Sequence, residues 1–134
     1  MDLATALDYY NQHDSIVFWN PRDITDENLA TDTPDAEALI IEPPSICSAE
    51  VHEGQYLVED GRLESYDPYP GHDGIDKVFE AVKRAGPSFQ DMATAAIKQC
   101  VDMGWEIMEA ASGEEKIFSR RYVPPPGRAA SNGS

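Results

Sequence analysis

The dipeptide Asp60-Gly61 stands between two runs of strand-forming residues, QYLVE and RLESY, and this pair suits the two positive φ angles of a two-residue type I′ hairpin turn. A reversal that short commits its flanks to adjacent antiparallel strands, so the chain contains an antiparallel sheet. Other short runs read as further strands. SIVFWN is apolar and stopped by Asn20 and Pro21, AEALIIEPP ends in two prolines, and Trp105 to Ala110 is expected to pair with Lys116 to Val123 around a turn containing Gly113. In that second hairpin Trp105, Ile107 and Phe118 are expected to face inward.

Helical periodicity is confined to three other stretches. Leu3, Ala6, Leu7 and Tyr10 form one face of a helix that Asp2 would cap and that runs to Gln12. Ile75, Val78, Phe79 and Val82 fall at i, i+3, i+4 and i+7, with Asp73 as the expected N-cap and DPYPG before it as a turn. Phe89, Met92, Ala93, Ala96, Cys100 and Met103 mark the buried side of a third helix, opened by Ser88 with Asp91 three residues on and closed by Gly104 as a left-handed C′ residue. The segment from Pro21 to Pro34 is acidic and without clear period. It reads as an exposed loop holding at most one helical turn, at TDENLA.

Strands and helices that segregate in this way predict an α+β fold: a mainly antiparallel sheet of four to six strands with two or three helices packed on it, and an extended Pro-rich C-terminal tail. At 134 residues the chain is long enough for one core, and folding at this size buries roughly two-thirds of the surface of the unfolded chain. Residues 1–123 are read as a single acidic domain and 124–134 as a Pro/Gly/Ser-rich tail. There is no basic start followed by an apolar run, and no stretch of about eighteen apolar residues, so a soluble, cytoplasmic protein is expected. Cys47 and Cys100 are expected to be free thiols there, with Cys100 buried.

Charge narrows the function classes. Of the 25 acids, 14 lie in residues 1–60 against a single cation, Arg22, which gives that segment 1 − 14 = −13 of the total −15. From Lys116 onward there are four cations and no acid. Such a body cannot neutralise phosphates, which argues against direct nucleic-acid binding and against adhesion to anionic membranes. A basic protein surface is the matching partner. The expected contact residues are Asp23, Asp26, Glu27, Asp32, Asp35 and Glu37, which flank or occupy the Pro21–Pro34 loop. The leading expectation is a non-enzymatic binding protein that covers a basic surface of another protein, often one that binds nucleic acid, as nucleic-acid mimics and immunity proteins do. The alternative is an accessory subunit of a larger assembly, docked through Arg120, Arg121, Pro124, Pro125, Pro126 and Arg128, where the prolines favour an extended polyproline segment.

Enzyme signatures are weak. The sequence has no phosphate-binding loop, GxGxxG, GxSxG or CxxC spacing. A metal-dependent hydrolase would have to use Asp67, His72, Asp73 and Asp76, or the two His-Asp steps His13-Asp14 and His72-Asp73 together. Each of these residues also suits a helix boundary, and the Asp67 stretch does not follow the spacing of a calcium-binding loop. His52, beside Glu53, reads as an ordinary strand imidazole. No catalytic residue, metal or cofactor is therefore expected.

Overall fold

The computed structural model describes residues 1–31, 33–49, 54–68, 70–109 and 120–124. In chain order the elements are α1 (Leu3–His13), β1 (Ile16–Trp19), a 3-10 turn (Pro21–Asp23), α2 (Asp26–Ala30), β2 (Ala38–Glu42), β3 (Ser45–Ala49), β4 (Tyr56–Glu59), β5 (Arg62–Leu63), α3 (Asp73–Arg84), α4 (Phe89–Asp102), β6 (Glu106–Glu109) and β7 (Arg120–Arg121). The strands form one sheet in the order β5-β4-β3-β2-β1-β6-β7. Every neighbouring pair is antiparallel. The fold is α+β, and among the described residues the outermost segments, β5 and β7, span two residues each.

Local chemistry explains most boundaries. The Asp2 carboxylate accepts the Thr5 N–H at 2.9 Å and caps α1. Ser88 Oγ accepts the Asp91 N–H at 3.1 Å and caps α4. At the other end of α4, Gly104 lies at φ +79°. The Gly104 N–H donates to Val101 O and the Trp105 N–H to Cys100 O, both at 2.9 Å, which closes the helix as a Schellman motif. Asp60 and Gly61 have φ values of +53° and +76°, the type I′ pair that joins β4 to β5. The two prolines expected to end a strand do more than that: Pro43-Pro44, joined by a cis bond, is the turn of a second hairpin whose register pairs Glu42 with Ser45.

The inner face of the sheet carries Ile16, Phe18, Leu39, Ile41, Ile46 and Ile107, all essentially inaccessible, beneath α1, α3 and α4. Burying a side chain of this size contributes roughly 1.5–3 kcal/mol. Ile75, Val78 and Val82 of α3 and Met92, Ala96 and Cys100 of α4 complete this core, as their spacing predicts. The opposite face holds a smaller cluster of Trp19, Ala36, Ala38 and Met108, against which Val17, Ile24 and Leu29 pack. The strand that carries Phe118 in the sequence reading lies largely outside the described residues, with only β7 and its pairing to β6 defined.

One boundary departs from expectation. Asp73 is the first residue of α3 rather than its cap, and His72, in the cap position, makes no capping side-chain bond. The acceptor comes from elsewhere in the chain: Glu37 Oε2 takes the Ile75 N–H at 2.9 Å.

Candidate functional site

The acidic segment between β1 and β2 is ordered by its own polar residues. Asn20 Oδ1 accepts the Arg22 N–H at 3.2 Å and Thr25 Oγ1 accepts the Asn28 N–H at 3.1 Å, which starts the 3-10 turn and α2. Asn28 then closes the segment on itself. Its amide donates to Asp23 O at 2.8 Å and Asp35 O at 3.3 Å, and its Oδ1 accepts the Asp35 N–H at 3.1 Å. Ile24 and Leu29 press the segment onto the outer face of the sheet, so it is an anchored structure with a helix and not a bare loop.

The six acids fall into different environments. Asp26 and Glu27 are exposed in the first turn of α2, where they also face the positive end of that short helix, and Asp35 is exposed before β2. Asp23 is partly covered, accepts the Glu37 N–H through Oδ2 at 2.9 Å and lies 3.6 Å from Arg22 Nε. Asp32 lies outside the described residues. Glu37 does not belong with the surface acids, because it is only 2 % exposed. Its Oε1 accepts from Arg22 Nη2 and from Asn20 Nδ2, both at 3.0 Å, while Oε2 holds the start of α3. Arg22 Nη2 donates further to Gly71 O at 2.7 Å. The physical reason is geometric: Glu37, Leu39 and Ile41 alternate along one extended segment, so the carboxylate points with them beneath the helices. That alternation, together with the solitary cation Arg22, is the signal by which the network could have been found in the sequence.

The basic C-terminal residues are less completely defined. Arg121 is exposed and lies 3.9 Å from Glu106, beside Tyr122, whose ring meets Tyr9 edge-on at 4.7 Å. Arg120 pairs with Glu109 through the backbone of β7, Pro124 is half-buried, and Pro125, Pro126 and Arg128 lie outside the described residues.

The groups considered for metal or acid-base chemistry are spread out. His13 stacks on Tyr9 at 4.0 Å, with Nδ1 2.9 Å from Tyr9 O. Asp76 accepts the Tyr66 hydroxyl at 2.6 Å, and the backbone of Asp67 is clasped by the Gln55 amide. His52 lies outside the described residues, and among those described no three His, Cys, Asp or Glu side chains gather as a metal site. Both cysteines are free thiols. Burial, and secondly the charge of Glu42, pushes Cys47 up to about 11; burial, and secondly Glu37, raises Cys100 well above its usual range. Thiols held protonated in this way are poor nucleophiles. An open groove of about 340 Å³ between α3 and α4 is lined by Asp76, Lys77, Glu80, Arg84 and Gln99, charges of both signs.

Among the described residues no helix is long and apolar enough to cross a membrane. Compared with protein families, curated proteins and solved structures, the chain matches none.

Proposed function

We propose that the protein is a non-enzymatic binding module that covers a basic surface on a protein partner, in the manner of a nucleic-acid mimic or an immunity protein. One observation carries the reading. Arg22, the sole cation of the first 60 residues, has its guanidinium engaged by Glu37 and Gly71 O while 56 % of its side chain stays exposed, so Asp26, Glu27 and Asp35 face solvent with no other cation in their own segment. Exposed charge of one sign raises the local potential, speeds encounter with a basic partner and orients it, although each rim charge adds little affinity. The framework beneath these acids is fixed by Asn28, Ile24 and Leu29, so their arrangement is set before a partner arrives.

An accessory subunit docked by its C-terminal residues is the second reading. It is favoured by Val123, an apolar residue 77 % exposed next to the basic β7. Both readings are tested together once the bound protein has been recovered from the native source and identified. Changing Asp26, Glu27, Asp32 and Asp35 to their amides preserves shape and alters the charge by four. The association rate with the partner is expected to fall about tenfold or more at low ionic strength and to converge with the parent at high salt. If the fourfold variant associates as fast and as tightly as the parent at low salt, the acidic reading is wrong and docking through the C-terminal residues replaces it.

A further inference from the structure

The outer face of the sheet carries a row of apolar side chains whose cover, among the described residues, ends partway along. Val17 pairs with Ile40, Ile40 with Cys47 and Cys47 with Tyr56, and residues directly opposite in antiparallel strands share a face. Across four strands the row is roughly 15 Å long, at about 4.8 Å per strand. At one end it runs under the acidic segment: Met108, which pairs with Val17, is 1 % exposed in the cluster that Ile24 and Leu29 cover. Val17, Ile40 and Cys47 are partly covered, and at the far end Tyr56 is 48 % exposed.

Acids border this row on two sides, and the cation Arg121, opposite Met108 on β7, lies 3.9 Å from Glu106. Glu42 follows Ile40 by two positions on β2, so it stands on the same face, and it is exposed. Its charge reaches the row, since it contributes to the raised Cys47 thiol. On the other side lie Asp26 and Glu27 of α2, the helix whose Leu29 packs on the same face. We infer that this outer face, along Val17, Ile40, Cys47 and Tyr56, is the contact surface for the partner, and that it takes a basic protein segment with apolar side chains set between its cations. The inference rests on the acidic-binding reading and specifies where and how such a partner sits. Charge decides among occupants. A second copy of this chain would bring another −15 against the same acids, and an anionic membrane would be repelled by them. A basic segment gains at the apolar row and at both acidic borders.

Two synthetic peptides of equal length and equal lysine count separate the contributions, one alternating lysine with valine and the other lysine with serine. Binding of each to the full chain is measured by fluorescence anisotropy at low salt, alongside the rate of Cys47 alkylation. The lysine-valine peptide is expected to bind at least about tenfold more tightly, a difference of about 1.4 kcal/mol. It should also slow Cys47 alkylation, and Tyr56→Ser combined with Ile40→Thr should bring its affinity down to that of the lysine-serine peptide. Equal binding of the two peptides, or a double variant without effect, overturns the inference while leaving the acidic reading intact. Binding by neither peptide overturns both. Sedimentation showing a dimer of the parent that Tyr56→Ser dissociates also overturns it, in favour of a second copy as the occupant.

Discussion

Glu37 is the residue whose role depends most on its surroundings. A carboxylate 1 % exposed at its side chain is tolerated because four groups compensate it: Arg22, Asn20, the Ile75 N–H and the positive end of α3. Glu37→Gln keeps the shape but replaces one acceptor with a donor facing donors. A loss of about 1–3 kcal/mol is expected, the cost of a buried polar group left unsatisfied, measured by urea denaturation. A change below about 0.5 kcal/mol would show that the network is dispensable. Cys100 makes a second residue-level prediction. Its folded thiol is held neutral, chiefly by burial, whereas the unfolded thiol ionises near its ordinary value of 9.0. Because the folded pKa is raised, the contribution is intact below the unfolded value of 9.0 and is lost as pH rises from there towards the folded value. Melting temperature should therefore fall between about pH 8 and about pH 10, and less steeply in Cys100→Ala.

At the scale of elements, α3 illustrates how packing overrides propensity. Gly74 sits in its first turn, where alanine would ordinarily favour the helix by roughly 1 kcal/mol. A Cβ there would overlap the Trp105 indole and crowd Glu37 Oε2 at 3.0 Å, and the indole is 3 % exposed with little room to move. Gly74→Ala is expected to destabilise by about 1–3 kcal/mol, the usual range for overpacking, and thermal unfolding checks it. An increase in melting temperature would mean that Trp105 can shift. The other helices are more self-sufficient: Asp2 and Ser88 cap α1 and α4 from within their own segments, whereas α3 takes its acceptor from residue 37, which lies 38 positions earlier in the chain.

For the molecule as a whole, the sheet divides the described residues into a helix-covered face and an outer face that, among those residues, the acidic segment closes only in part. β7 belongs to the sheet, since it pairs with β6, and Tyr122 bonds to Ile107 O at 2.8 Å. Cutting after Val123 leaves both interactions in place. The melting temperature is expected to change by less than about 5 °C, which for a domain of this size corresponds to about 1–2 kcal/mol. A larger drop, read by calorimetry, would mean that residues beyond Val123 pack on the domain.

What the amino-acid order determined by itself was whatever depends on neighbours along the chain. The Asp60-Gly61 turn, the Asp2 and Ser88 caps, the Gly104 terminus and the apolar faces of α3 and α4 all follow from steric limits and hydrogen bonds spanning a few residues. The acid excess around Pro21–Pro34 was legible for the same reason, as was the exposure of Asp26, Glu27 and Asp35. The tertiary structure decided what requires distant segments to meet. It moved Glu37 from the surface set into the interior, made it rather than Asp73 the acceptor that starts α3, and folded Ile24 and Leu29 onto Trp19 and Ala38. It also aligned Val17, Ile40, Cys47 and Tyr56, residues from four strands, into one row. Local periodicity says which residues share a strand face, but only strand order and register say which faces are neighbours, and those are set by the packing of the whole chain.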